Sequence, residues 1–337
     1  MSRTDRLSAE LDRGLAALED GKLDAAAAVV ERCRRIDRKN PEVVALAAAV
    51  ADAKGDIEDA LSSYLTLVEL QPDDPMPRIC IARIELHDNG DPDAALDMLE
   101  GAFEFIDDEG DLIEAIVVKT EALLAREEPA AARAALAELA SSIIDEGELA
   151  LDLAELALAA EDAAAALRWI ELGSKDEALK ADALHLLGRV HEFTNDRAAM
   201  IVAWNEVRRL DLAAPPGAVS TTEDEIERLA LATLAELPAN IREKLERVPI
   251  LIDDVPSEDL IADGWDPRIL GLFQGSPMPE DGGLAPTVTN IVLFKRNLEQ
   301  AASDADHLAA EIRITVLHET AHYFGLDEDD LVKLGLD

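Results

Sequence analysis

The chain is poor in cysteine, poor in positive charge and free of long apolar runs. Its 337 residues include two cysteines, Cys33 and Cys80. They have neither the spacing of a metal knuckle nor the density of a disulfide framework, and both fall in helical patterns as small core residues. No apolar stretch approaches the roughly 20 residues of a membrane span. The first residues, Met1-Ser2-Arg3-Thr4-Asp5-Arg6, are not followed by the apolar region of a secretory leader. Lys and Arg number 31 against 72 Asp and Glu, for a net charge of -41. Such a field disfavours nucleic acid and anionic membranes as partners. A cytoplasmic protein is expected, and the length fits two domains.

What is abundant is helix-forming sequence. Residues 7–212 are rich in Ala, Leu and Glu and read as consecutive amphipathic helices joined by short turns. A period of 34 residues runs through them. Gly21, Gly55 and Asn89 keep it, as do Ala26, Ala60 and Ala94, and Pro41 with Pro75. The register then blurs, although Ala165 and Ala199 keep the interval. A period of this length means one helix-turn-helix pair per unit, with small residues where the paired helices pack closely. The segment resembles the tetratricopeptide repeat family over about six units. The turn Gly, the small residues and the closing Pro of that family are kept in the first units, whereas its aromatic positions mostly carry Leu or Ala. The resemblance implies a right-handed superhelix with a concave groove for peptides or protein partners. Trp169 and Trp204, in the last helices, are expected to be packing residues.

A linker is expected at 213–222, which contains Pro215-Pro216-Gly217. Thr222 and Glu225 then form a capping-box start for a helix running to about Glu236, with a break at Pro238. Beyond it the character changes. Val248–Ile252, Ile269–Phe273 and Asn290–Phe294 read as strands, with Gly and Pro between them. Residues 223–337 thus form a compact α+β unit. Residues 288–294 are expected to offer an open edge for an extended peptide, and 274–286 to rim the cleft or simply to connect.

The last helix carries the chemistry. Its pattern is free of Pro and Gly from Ala305, with Ser303 as the expected N-cap. It contains His318-Glu319-Thr320-Ala321-His322 and is followed by Gly325 and the acidic run Asp327, Glu328, Asp329, Asp330. Residues four apart share a helix face, so two imidazoles can bind one zinc ion while Glu319 serves as general base toward an activated water. Ile314, Leu317, Ala321 and Phe324 are the expected core stripe. Glu311, Thr315, His318 and His322 are the stripe expected to face a cleft. A catalytic zinc wants three protein ligands. The third is expected just after Gly325, where the chain can turn back: Glu328 first, with Asp327 and Asp329 as the other candidates. Tyr323 is expected to pack rather than to act as an electrophile, and His307 to lie at the surface.

Residues 223–337 resemble the minimal zincin-like metallopeptidase family. The matching pieces are Asp253-Asp254-Val255-Pro256, Leu270-Gly271-Leu272-Phe273-Gln274-Gly275, Ile291-Val292-Leu293-Phe294 and the segment Val316–Gly325. The resemblance implies zinc held by the two His and an acidic ligand after the Gly, with the Glu as base. Glu328 stands where that family more often has Asp, and no Met follows His322 to make a metzincin Met-turn. The expectation is a mainly α protein with tetratricopeptide-like repeats at 7–212, a linker at 213–222 and a zincin-like domain at 223–337. Its expected function is that of a Zn2+-dependent metallopeptidase, with the repeats recruiting a peptide or protein substrate or a partner. The alternative is a repeat-based interaction scaffold whose zinc module is structural or regulatory.

Overall fold

The computed structural model describes residues 2–215, 217, 219–245, 248–275 and 290–324. The chain divides into two compact units, Met1–Leu172 and Gly173–Asp337. The first consists of helix pairs: α1 (Arg3–Glu19) with α2 (Leu23–Asp37), α3 (Pro41–Ala53) with α4 (Ile57–Leu70), α5 (Met76–His87) with α6 (Pro92–Phe103), α7 (Glu109–Ala125) with α8 (Pro129–Leu136), and α9 (Gly147–Ala159) with α10 (Ala163–Gly173). A sixth pair, α11 (Lys180–Phe193) with α12 (Arg197–Ala213), opens the second unit.

One backbone device makes every pair. The chain reverses through a residue of positive φ at Gly21, Gly55, Gly90, Glu127, Glu161 and Asn195. In five of the six turns the next amide reaches back to the same carbonyl, as in Lys22 N–H to Ala17 O at 2.8 Å and Glu128 N–H to Leu123 O at 2.9 Å. This is the helix-ending bond of a Schellman turn. Five residues after each reversal stands a buried side chain: Ala26, Ala60, Ala95, Ala132, Ala166 and Met200. The spacing corrects the simple period. The third turn is one residue longer, so the reversal falls on Gly90 rather than Asn89, and the buried residue is Ala95 rather than Ala94. Ala165 and Ala199 likewise stand one place before the buried position. Cys33 and Cys80 are buried and reduced. Trp169 and Trp204 are buried packing residues.

The second unit continues with α13 (Glu223–Glu236), started by Thr222 Oγ accepting from the Glu225 amide, and α14 (Ala239–Leu245). Then come β1 (Ile250–Asp253), α15 (Glu258–Asp263), β2 (Gly271–Gln274), β3 (Asn290–Phe294), α16 (Lys295–Ala301) and α17 (Ala305–Tyr323). The strand order is β1-β3-β2, with β1 parallel and β2 antiparallel to β3. Alternation along β3 sends Ile291 and Leu293 into a core with Ile226, Leu308, Ile312 and Val316, while Val292 and Phe294 meet Leu272 on the other face. All five residues of β3 are buried. It is therefore the central strand and has no open edge, contrary to the expectation for 288–294 as far as its described residues, 290–294, are concerned. A strand paired on both sides has no main-chain groups left to offer, and among the described residues β1 and β2 are the edge strands.

The core stripe of α17 also differs from expectation. Of the expected stripe Ala321 is buried, Leu317 and Phe324 are half-buried and Ile314 is exposed, while Leu308, Ile312, Val316 and Tyr323 are buried. Its N-cap is Asp304, which accepts from the amides of Asp306 and His307, and not Ser303. A carboxylate accepts two helix-end donors where a hydroxyl usually satisfies one. Among the described residues no helix is long and apolar enough to cross a membrane.

Candidate functional site

Three pieces of the second unit enclose a cleft of about 470 Å³. One wall is the face of α17 bearing Glu311, Thr315, His318 and His322, the stripe read from the sequence, together with Ile314 and Glu319. The second is β2. The third is the segment between α15 and β2, which contributes Trp265 and Ile269.

On α17 the two imidazoles converge, with His318 Nε2 3.0 Å from His322 Nε2. The ring centroids are 4.7 Å apart and the planes nearly perpendicular, at 76°. Two nitrogens bound to one tetrahedral zinc at its usual distances would stand about 3.3 Å apart, so these rings need little rearrangement to share an ion. Glu319 lies on the buried side of the same turn, 7% exposed. Its Oε2 accepts the Phe273 N–H at 2.6 Å. That contact follows from strand alternation. Leu270 O takes the Phe294 amide at 2.9 Å, so the N–H and C=O of Gly271 and Phe273 point away from β3. Gly271 permits the approach, because a Cβ there would lie 2.5 Å from Thr315 Cγ2 and 3.3 Å from Glu319 Cγ. Tyr323 is 5% exposed and packs edge-on against Phe273 with ring centroids 5.7 Å apart. It is a packing residue, as expected. His307 is exposed at the first turn beside Glu311.

Gly325, Asp327, Glu328 and Asp329 lie outside the described residues, as does the greater part of 274–286. Among the described residues no group of three His, Cys, Asp or Glu is placed to hold a metal ion.

The third wall depends on residues that sequence reasoning missed. Gly264, with φ 104°, ends α15 and starts the segment. Asp266 then meets His185 of α11 at 2.7 Å. Arg268 lays its guanidinium across two carboxylates of the sixth helix pair: Nε and Nη2 donate to Asp211 at 3.0 and 3.1 Å, and Nη1 donates to Asp182 at 2.6 Å. From the other side, Asn297 Nδ2 donates to Pro267 O and Ile269 O at 2.9 and 2.7 Å. Burial alone would raise the Asp266 carboxyl, but the His185 hydrogen bond and charge, with the Arg268 amide, more than offset it and hold it below the usual carboxylate range. A signal was present in the sequence: Asp211 sits alone in the apolar run Leu210-Asp211-Leu212-Ala213. A lone carboxylate on such a face calls for a cationic partner.

Comparison with known proteins agrees with both halves. Residues 245–336 match the family model described as zincin-like metallopeptidase, and residues 17–83 match a tetratricopeptide repeat. No curated protein matches the chain. Among solved structures, one described as a functional characterization of Pseudomonas aeruginosa pilF is similar over 62% of this chain and 94% of its own, at 17% identity and a TM-score of 0.52. PilW, described as a widely conserved type IV pilus biogenesis factor, is similar over 60% and 92%, at 15% identity and a TM-score of 0.52. At these identities the likeness is one of fold.

Proposed function

We propose that the cleft is the active site of a cytoplasmic zinc-dependent peptidase, and that the repeats recruit its substrate or a partner. The observation that carries this reading is the convergence of His318 Nε2 and His322 Nε2, 3.0 Å apart on the cleft wall. These two side chains would hold the ion with one carboxylate from beyond Gly325, Glu328 before Asp327 or Asp329. When bound, zinc supplies a Lewis acid that polarises a carbonyl and acidifies water.

The chain's own residues do the rest. An extended peptide pairs with the N–H and C=O of Gly271 and the C=O of Phe273, which asks little of its sequence. The Phe273 amide fixes one oxygen of the Glu319 carboxylate. The other oxygen accepts the proton of the attacking water and returns it to the leaving amine. Burial of Glu319 and the apolar wall of Trp265 and Ile269 limit competing water.

A non-catalytic zinc module is the second reading. It draws on the same bond, since Glu319 tying α17 to β2 is a structural contact in its own right. Two variants separate the readings. His318→Ala should lose the zinc that purified wild type carries, measured by elemental mass spectrometry. Glu319→Gln should keep zinc and lower cleavage of labelled unfolded casein about 100- to 10 000-fold. Full cleavage by Glu319→Gln would remove the mechanism. Wild type that binds no zinc when supplied with it would remove the peptidase.

A further inference from the structure

The first unit carries a concentration of positive charge that the rest of the chain lacks. Arg32, Arg34, Arg35, Arg38 and Lys39 fall within eight residues, with Asp37 the one carboxylate among them, in a protein of net charge -41. Arg32 is engaged by Glu10 at 2.8 Å and Arg34 by Glu31 at 3.0 Å. Arg35, Arg38 and Lys39 are exposed and make no ion pair among the described residues. With Arg34 they line one groove of about 820 Å³. Its opposite wall is α4, with the hydroxyls of Ser62 and Ser63, the Glu69 carboxylate and the side chain of Leu70, which is 41% exposed. Glu31, paired with Arg34, is the other carboxylate of the lining, so the cations remain in excess.

The end of a helix explains only part of this. The C-terminus of α2 amounts to roughly half a negative charge, and Arg38 and Lys39 lie beyond its last residue, Asp37. The excess faces the groove. We propose that the groove docks an acidic segment of a partner protein, with carboxylates on Arg35, Arg38 and Lys39 and an apolar side chain against Leu70.

Guanidinium forks match carboxylates in pairs. The groove, about 820 Å³, has room for several side chains of a bound segment. A nucleic acid would carry its phosphates past the groove onto an acidic surface, which the charge balance opposes. The groove lies between the second helices of the first two pairs, α2 and α4. The start of α3, at Val43 and Val44, closes its floor, and the proposal stands whether or not the cleft is a peptidase.

The test is fluorescence anisotropy of a labelled peptide of alternating Glu and Leu with the full-length protein. At about 0.15 M salt the screening length is about 8 Å, so local charges decide the outcome. Saturable binding is expected. Arg35→Glu/Arg38→Glu should weaken it at least about tenfold. Arg38→Gln/Lys39→Gln should weaken it less, and guards against misfolding of the first variant. Lys175→Glu/Lys180→Glu, the same charge change in the second unit, should leave it unaltered. Absence of saturable binding would overturn the proposal, as would equal loss in the two charge-reversal variants or equal binding of a Lys and Leu peptide. Wild-type self-association that Arg35→Glu/Arg38→Glu abolishes would place a second copy in the groove and overturn it too.

Discussion

At the scale of single residues the second unit turns on Arg268. Asp211 is nearly sealed, with its side chain 5% exposed, and Arg268 is its bidentate partner. Removing one member of such a pair leaves a charge buried without compensation, which costs about 3–5 kcal/mol. Arg268→Ala should destabilise the second unit by about that amount in chemical denaturation, and adding Asp211→Asn should return part of the loss. An Arg268→Ala protein as stable as wild type would mean that Asp211 is wetter than its burial indicates. Asp266 gives the neighbouring contact a pH dependence with a definite sign. Its folded-state pKa is lowered, so its contribution is full above the ordinary Asp value of about 3.9 and is lost as pH falls through the lower, folded value. Stability measured from pH 6 down to about pH 2 should therefore fall on the acid side less steeply in Asp266→Asn than in wild type. Parallel acid limbs for the two proteins would remove Asp266 from the account.

The helix pair is the element that repeats, and its turn decides how much of the fold could be read in advance. Glu127 and Glu161 hold positive φ of 59° and 60°, a conformation that costs an ordinary L-residue about 1–2 kcal/mol and Gly almost nothing. Part of that gain is returned, because Gly also loosens the unfolded chain. Glu127→Gly and Glu161→Gly should each raise stability by about 0.5–1 kcal/mol. Asn195→Gly should change it little, because Asn tolerates this region. Thermal melts of the three variants check the contrast, and a destabilised Glu127→Gly would contradict it. The same turns explain what was legible. While Gly made the reversal, at Gly21 and Gly55, the period stood out. It faded at Glu127 and Glu161, where the geometry persists without its usual residue. A better marker was the Asp that follows the reversal at Asp56, Asp91, Asp162 and Asp196, three of which cap the next helix. In the second unit, the three strands and the cleft-facing stripe of α17 followed from side-chain periodicity. Strand order did not, because periodicity says which face of a strand is buried and nothing about its neighbours. The third wall was equally hidden, since Arg268 and Asp266 meet partners more than 50 residues away in the chain.

At the scale of the whole molecule the dominant quantity is charge. With 72 acidic against 31 basic residues, most carboxylates see other carboxylates, and the compact state concentrates that repulsion. Surface ion pairs offset little of it, because exposed pairs each contribute about 0–1 kcal/mol and salt weakens them. Salt therefore acts on two opposing terms, and the imbalance of charge decides which prevails. Between about 0.01 M and 0.5 M sodium chloride the screening length shrinks from about 30 Å to a few Å. Long-range repulsion is removed over that interval, while the bidentate contact of Arg268 with Asp211, largely shielded from solvent, is little affected. The melting temperature at pH 7 should therefore rise steadily across the series in scanning calorimetry. A fall would mean that the ion pairs outweigh the net charge. The basic groove of the first unit should respond in the opposite sense, since its attraction for an acidic peptide is a local interaction between exposed charges. One salt series on one preparation thus reads both effects. Tightening of the fold with weakening of the peptide complex separates a global field from a local site, and the two moving together would leave no separate role for the groove.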